Sequence, residues 1–110
     1  MEKNDTVKIL GTDYKVITDT DRCKQKNADG LCCVYEKEIY IREPKDMLID
    51  SDSRDAKMKR FREVLRHEII HAFFHECGLE EYSDNEFIVD WIAMNFPKMS
   101  TSFDEIGAND

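Results

Sequence analysis

The chain has three histidines in 110 residues, and all of them fall in the single stretch RHEIIHAFFHECGL, residues 66–79. Within HEIIH (67–71), His67 and His71 are four residues apart. On a helix they lie one turn apart on one face, where two imidazoles can reach a single metal ion. Glu68 is the next residue along, so its carboxylate can take a proton from a water that such a metal activates. Three His and eleven Glu in 110 residues would spell His-Glu-x-x-His by accident roughly 0.8% of the time, so the motif is read as a site.

A catalytic zinc takes three protein ligands and keeps one position open, so a third ligand is required. Geometry excludes His75, because histidines at 67, 71 and 75 of one helix span two turns, about 12 Å; His75 is expected to be a partly exposed helix residue. With no histidine elsewhere, the third ligand is a carboxylate. NEFIVD (85–90) offers Glu86 and Asp90 four apart on one face. The expectation is Glu86 as ligand, with Asp90 accepting a hydrogen bond from the free ring nitrogen of a ligand histidine. Two alternatives stay open. Ser83-x-x-Glu86 also spells a capping box, and Asp90 itself, or Glu76, Glu80, Glu81 or Asp84, offers a carboxylate in its place. Hydrolysis also needs a donor for the oxyanion; Tyr82, close to the second helix, is the candidate, followed by Tyr35 and Tyr40.

The elements that must hold these residues are legible as patterns. VKILGTDYKVI (7–17) reads as a hairpin around Gly11-Thr12-Asp13, residues 19–30 as a polar loop, and LCCVYEKEIYIRE (31–43) as a second hairpin with Ile39 and Ile41 on the buried face. Ser53 is a candidate N-cap for a long helix over about 53–77. Its core stripe is Phe61, Val64, Leu65, Ile69, Ala72 and Phe73, and Gly78 closes it with Leu79 packing back. After a short loop LEEY, a carboxylate helix over about 84–96 is expected, capped by Ser83 and ended by Pro97. Its core contacts are taken as Phe87, Ile88, Trp91 and Ile92, and the tail 98–110 as loosely ordered. The fold class is therefore α+β in one domain: a small antiparallel sheet, its β-rich part over about 6–43, packed on the motif helix and a second C-terminal helix.

Composition narrows the partners. With 16 basic against 24 acidic residues the formal charge is −8, which repels phosphate backbones and anionic lipid, so neither nucleic acid nor membrane is expected. MEKNDT lacks the apolar region of a secretory leader and no run suits a spanning helix, so a cytoplasmic protein is expected. Cys23, Cys32, Cys33 and Cys77 are then read as reduced, structural thiols, with Cys32 and Cys33 on opposite faces of a strand.

At HEIIH (67–71) followed by Asn85-Glu86-Phe87-Ile88-Val89-Asp90, the chain resembles the gluzincin class of zinc metallopeptidases, whose thermolysin-type pattern is HExxH and then Asn-Glu-x-x-x-Asp on the next helix. The match covers about 25 residues, and only fourteen separate His71 from Glu86, so the small zincins of the ImmA/IrrE type, common in phages and mobile elements of bacteria, are the nearer likeness. The resemblance implies Zn2+ held by His67, His71 and Glu86, Asp90 orienting a histidine, Glu68 as general base, and a protein or peptide substrate laid along a sheet edge, for which EIYIRE (38–43) is the candidate. A zinc-bearing phage or bacterial accessory or scaffold protein that cleaves nothing is the alternative. His and carboxylate ligands also suit metals other than zinc.

Overall fold

Leu10 and Gly11, both at positive φ (49° and 87°), close a two-residue turn of the kind that matches strand twist. It joins β1 (Asn4–Ile9) to antiparallel β2 (Thr12–Thr18) in a computed structural model that describes residues 4–110; the first three residues of MEKNDT lie outside it. The turn falls one to two residues earlier than the sequence suggested. β3 (Gly30–Cys33) and β4 (Glu38–Ile41) form the second hairpin. The sheet order is β1-β2-β4-β3, with β2 and β4 parallel, so the sheet is mixed rather than antiparallel as expected. The connection after β2 explains this. It contains the short helix α1 (Thr20–Lys24), capped by Asp19 where only loop was foreseen, and it sets β3 two strand positions away. The gap, about 10 Å, is filled by β4 on its return, and a strand that returns from β3 must run parallel to β2.

After the single 3-10 turn Pro44–Asp46 comes α2 (Arg54–Glu76), capped by Ser53, whose side chain accepts from the Ala56 N–H. Gly78 closes it as expected, at φ 81°; the Leu79 N–H reaches back to the Phe74 carbonyl at 2.8 Å, but the Leu79 side chain, expected to pack back, is exposed. Ile9, Tyr14, Val16, Ile39 and Ile41 from the sheet meet Phe61, Val64 and Ala72 of α2 in one core, with Leu65 and Ile69 partly buried against it. Phe73 is instead 41% exposed. Glu76, at the last turn of α2, fastens that end to the sheet by accepting from the Tyr14 hydroxyl (2.6 Å) and Lys37 Nζ (2.7 Å).

LEEY, expected as loop, winds into the short helix α3 (Glu80–Ser83). α4 then runs Glu86–Glu105, capped by the Asn85 side chain rather than by Ser83, so the Ser83/Glu86 capping box does not form. α4 also passes straight through Pro97, and most of the supposedly loose tail is helical. Proline deprives the carbonyl four residues back of its N–H donor, a defect that ordinarily ends a helix. Here the orphaned carbonyl belongs to Ala93, 1% exposed, and Arg66 of α2 donates its Nε to that oxygen at 2.7 Å. The tertiary bond replaces the missing helical one.

The face that α4 buries also differs from the expected one. Val89 and Ala93 pack inward, Ile88 and Ile92 are half-buried, and Phe87 and Trp91 are 77% and 50% exposed. Small residues let the two helix axes approach closely, and the turn of α4 that brings them inward also aims Glu86 and Asp90 at α2.

Two outcomes are expected. Arg66→Met should lower unfolding free energy by about 1–3 kcal/mol, and the loss should shrink in a Pro97→Ala background, where residue 97 regains a donor for the Ala93 carbonyl; equal losses in both backgrounds, by urea unfolding, would refute the pairing. The second concerns acid. The Lys37 ammonium and then the Tyr14 hydroxyl hold the Glu76 carboxyl down from 4.5 to about 2. A depressed carboxyl adds stability that is complete above its unfolded value and lost as pH falls through the folded one. The urea midpoint of Glu76→Gln should therefore trail the natural chain at pH 6, converge with it below 4.5 and meet it near pH 2. A gap that does not change with pH would assign the effect to packing.

Candidate metal centre

Helix periodicity does the first part of the assembly. His67 and His71, one turn apart on α2, bring their Nε2 atoms to 3.1 Å of each other, with the rings at 70°. The second part comes from α4, whose first residue, Glu86, sets Oε2 3.1 Å from His67 Nε2 and Oε1 3.2 Å from His71 Nε2. One ligand atom from each of the three residues lies within 4.8 Å of the others.

The far side of each ring decides what those Nε2 atoms are. His67 Nδ1 lies 2.7 Å from Asp90 Oδ1, and a carboxylate only accepts, so the hydrogen sits on Nδ1; a neutral ring then has its lone pair on Nε2. His71 Nδ1 lies 2.8 Å from Ser83 Oγ, a hydroxyl that accepts from the ring when Nδ1 carries the hydrogen. Burial, and then the neighbouring His67, push the His71 pKa down, favouring its neutral form. With both rings neutral and held this way, two imidazole lone pairs and a carboxylate point at one spot, where a cation would join them. Donor atoms 2.0–2.1 Å from a common tetrahedral centre stand about 3.3 Å apart; the two Nε2 atoms, 3.1 Å apart, are at about that spacing, and a different Glu86 oxygen lies beside each of them.

Glu68 lies beside this spot, its Oε2 3.9 Å from His67 Nε2 and the residue 7% exposed. Burial first, and then the Glu86 and Asp90 carboxylates, push its carboxyl up to about 8. A cation among the ligands would oppose that shift.

Two hollows flank Glu68. One of about 450 Å³ is lined by Leu31, Cys32, Val34, His71, Ser83 and Glu86, the other of about 200 Å³ by Asp29, Arg60, Glu63 and Asp90, with Gly30, His67 and Glu68 common to both. Larger grooves exist between α2 and α4 and beside the N-terminus of α2. Neither adjoins the converging donors, so chemistry rather than size picks out the site. Buried Asp29 anchors the wall before β3, accepting from the Leu48 N–H at 2.8 Å and Arg60 Nε at 3.1 Å.

His67, Glu68, His71, Glu86 and Asp90 are therefore brought together. Tyr82 is not: its ring tilts against Phe74 at 6.2 Å, and neither it, Tyr35 nor Tyr40 lines either hollow. His75 contacts the Tyr35 ring and Glu80 instead. Cys32 and Cys33 do face opposite ways, and burial pushes the Cys32 thiol up to about 12, far from thiolate chemistry. Sequence reasoning missed Ser83 as a partner of His71. The signal was available, because Asn85 is an equally good cap and leaves the serine free. EIYIRE is not an edge either, since β4 is paired on both sides and β3 is the open strand along the hollows. The Arg42 N–H donates to the Asp29 carbonyl, so by alternation the backbone groups of Gly30 and Cys32 point out to that edge. Among described residues, no helix is long and apolar enough to cross a membrane. Compared with family models, curated proteins and solved structures, the chain matches none.

Proposed function

We propose that this chain is a zinc-dependent peptidase of a minimal zincin kind, with His67, His71 and Glu86 as ligands. The observation that carries this reading is the convergence of His67, His71 and Glu86, at nitrogen–nitrogen and nitrogen–oxygen spacings of 3.1 to 3.2 Å, beside a buried carboxyl that hydrogen-bonds to none of them. A structural site gains nothing from such a neighbour, whereas hydrolysis requires it. When bound, Zn2+ supplies Lewis acidity toward a carbonyl oxygen and lowers the pKa of water.

The chain's residues do the rest. Asp90 and Ser83 hold the imidazoles with Nε2 forward. An extended peptide pairs with the outward N–H and C=O groups of Gly30 and Cys32, which sets its backbone across the two hollows. Glu68 removes a proton from the attacking water as oxygen bonds to the carbonyl carbon, then returns it to the nitrogen as the C–N bond breaks.

Purified without added metal, or supplied with zinc, the protein should hold one Zn2+ per chain by mass spectrometry and none as His71→Ala. Asp90→Asn should weaken zinc affinity about 10- to 100-fold. Glu68→Gln should keep the metal and lose about 10²- to 10⁴-fold in cleavage of a peptide library. A natural chain that takes up no zinc removes this reading, and cleavage undiminished in Glu68→Gln removes Glu68 as the base.

A further inference from the structure

Three of the glycines, Gly11, Gly78 and Gly107, sit at positive φ with open space where a Cβ would be. Backbone conformation explains them. Gly30 is the reverse case: it opens β3 without a positive φ, yet a Cβ there would meet Val64 Cγ1 at 2.8 Å, Glu68 Cγ at 3.0 Å and Glu68 Oε2 at 3.2 Å. Any residue could adopt this backbone, but none other fits the space.

We infer that Gly30 is a positioning residue for Glu68, and that its missing side chain is what admits the carboxylate between α2 and the open edge of β3. This rests on the zinc peptidase reading of the same site. The wall is not free to retreat. Asp29, the preceding residue, is held by Leu48 and Arg60, and its carbonyl is bonded to Arg42 of the strand end beyond β4. On the other side Glu68 belongs to a helix turn whose neighbours, His67 and Val64, are fixed by Asp90 and by the core. A methyl at position 30 meets Val64 and Glu68 first, and with Val64 held in the core the Glu68 side chain must yield; none of the three nearest atoms belongs to His67, His71 or Glu86. Gly30 also presents its backbone to the edge where substrate pairs, so the strand that receives the peptide and the base that serves it meet at one residue.

The test is a double-mutant cycle on the zinc-loaded full chain, with acetohydroxamate as probe, because its hydroxyl donates to a carboxylate beside the metal. Gly30→Ala should retain one zinc and weaken acetohydroxamate binding about tenfold or more, with kcat falling while KM changes little. In a Glu68→Ala background the same substitution should have no further effect on the probe. Equal losses in both backgrounds, or no loss in either, would overturn the role of Gly30. If Gly30→Ala does not fold by circular dichroism, the cycle is run in Val64→Ala, which relieves the 2.8 Å contact and leaves those to Glu68. Failure of the natural chain to bind zinc is a different result, and overturns the metal reading itself.

Discussion

The bond from Arg66 to the Ala93 carbonyl is the contact on which the relation of the two long helices turns. A helix that contains proline has one carbonyl it cannot satisfy, and when that carbonyl is buried its exposure to nothing costs about 1–3 kcal/mol. Only a donor from outside can settle it. Because Arg66 precedes His67 in the chain, the residue that satisfies the defect is covalently next to a member of the donor cluster. The register of α4 along α2 is thereby fixed: a slip of one turn, about 5.4 Å, would strand the carbonyl and carry Glu86 and Asp90 away from the histidines together.

That register then allows short side chains to do long-range work. Val89 and Ala93 keep the helices close, so Asp90 reaches Nδ1 of His67 at 2.7 Å and Glu86 reaches both Nε2 atoms without being buried itself. The cluster that results is electrostatically unfinished. Two imidazoles and a carboxylate crowd one spot, and the adjacent Glu68 has been taken out of water, raising its carboxyl to about 8. An arrangement of this sort works against folding by itself, and the core and the Glu76 fastening of α2 to the sheet must offset it.

How much of this was legible in the sequence depended on distance along the chain. The motif helix, its Ser53 cap, its Gly78 close, and the i, i+4 pairs His67/His71 and Glu86/Asp90 are local patterns, and each stands where the spacing put it. What failed needed a partner that the local sequence does not name. Pro97 reads as a stop unless Arg66 is known to reach Ala93. Phe87 and Trp91 look like core unless the small face of α4 is known to be the one that meets α2. β4 looks like an edge unless β3 is known to lie outside it. Gly30 reads as the end of the polar loop 19–30, since nothing near it in sequence shows that Glu68 arrives opposite.

The placement of Gly30 and Asp29 joins these cases into one design. The segment before β3 carries a buried carboxylate tied to Arg60 and Leu48, and the next residue is the one position where the strand has no side chain. Rigid anchoring and absent bulk are opposite demands on adjacent residues, and each is useful only with the other. An unanchored glycine would let the strand drift from α2, and an anchored residue with a side chain would expel Glu68. The open edge of β3 is thus held at a fixed distance from the HEIIH helix by charge on one side and by the lack of an atom on the other, so the geometry of the cleft is set before any ligand enters it.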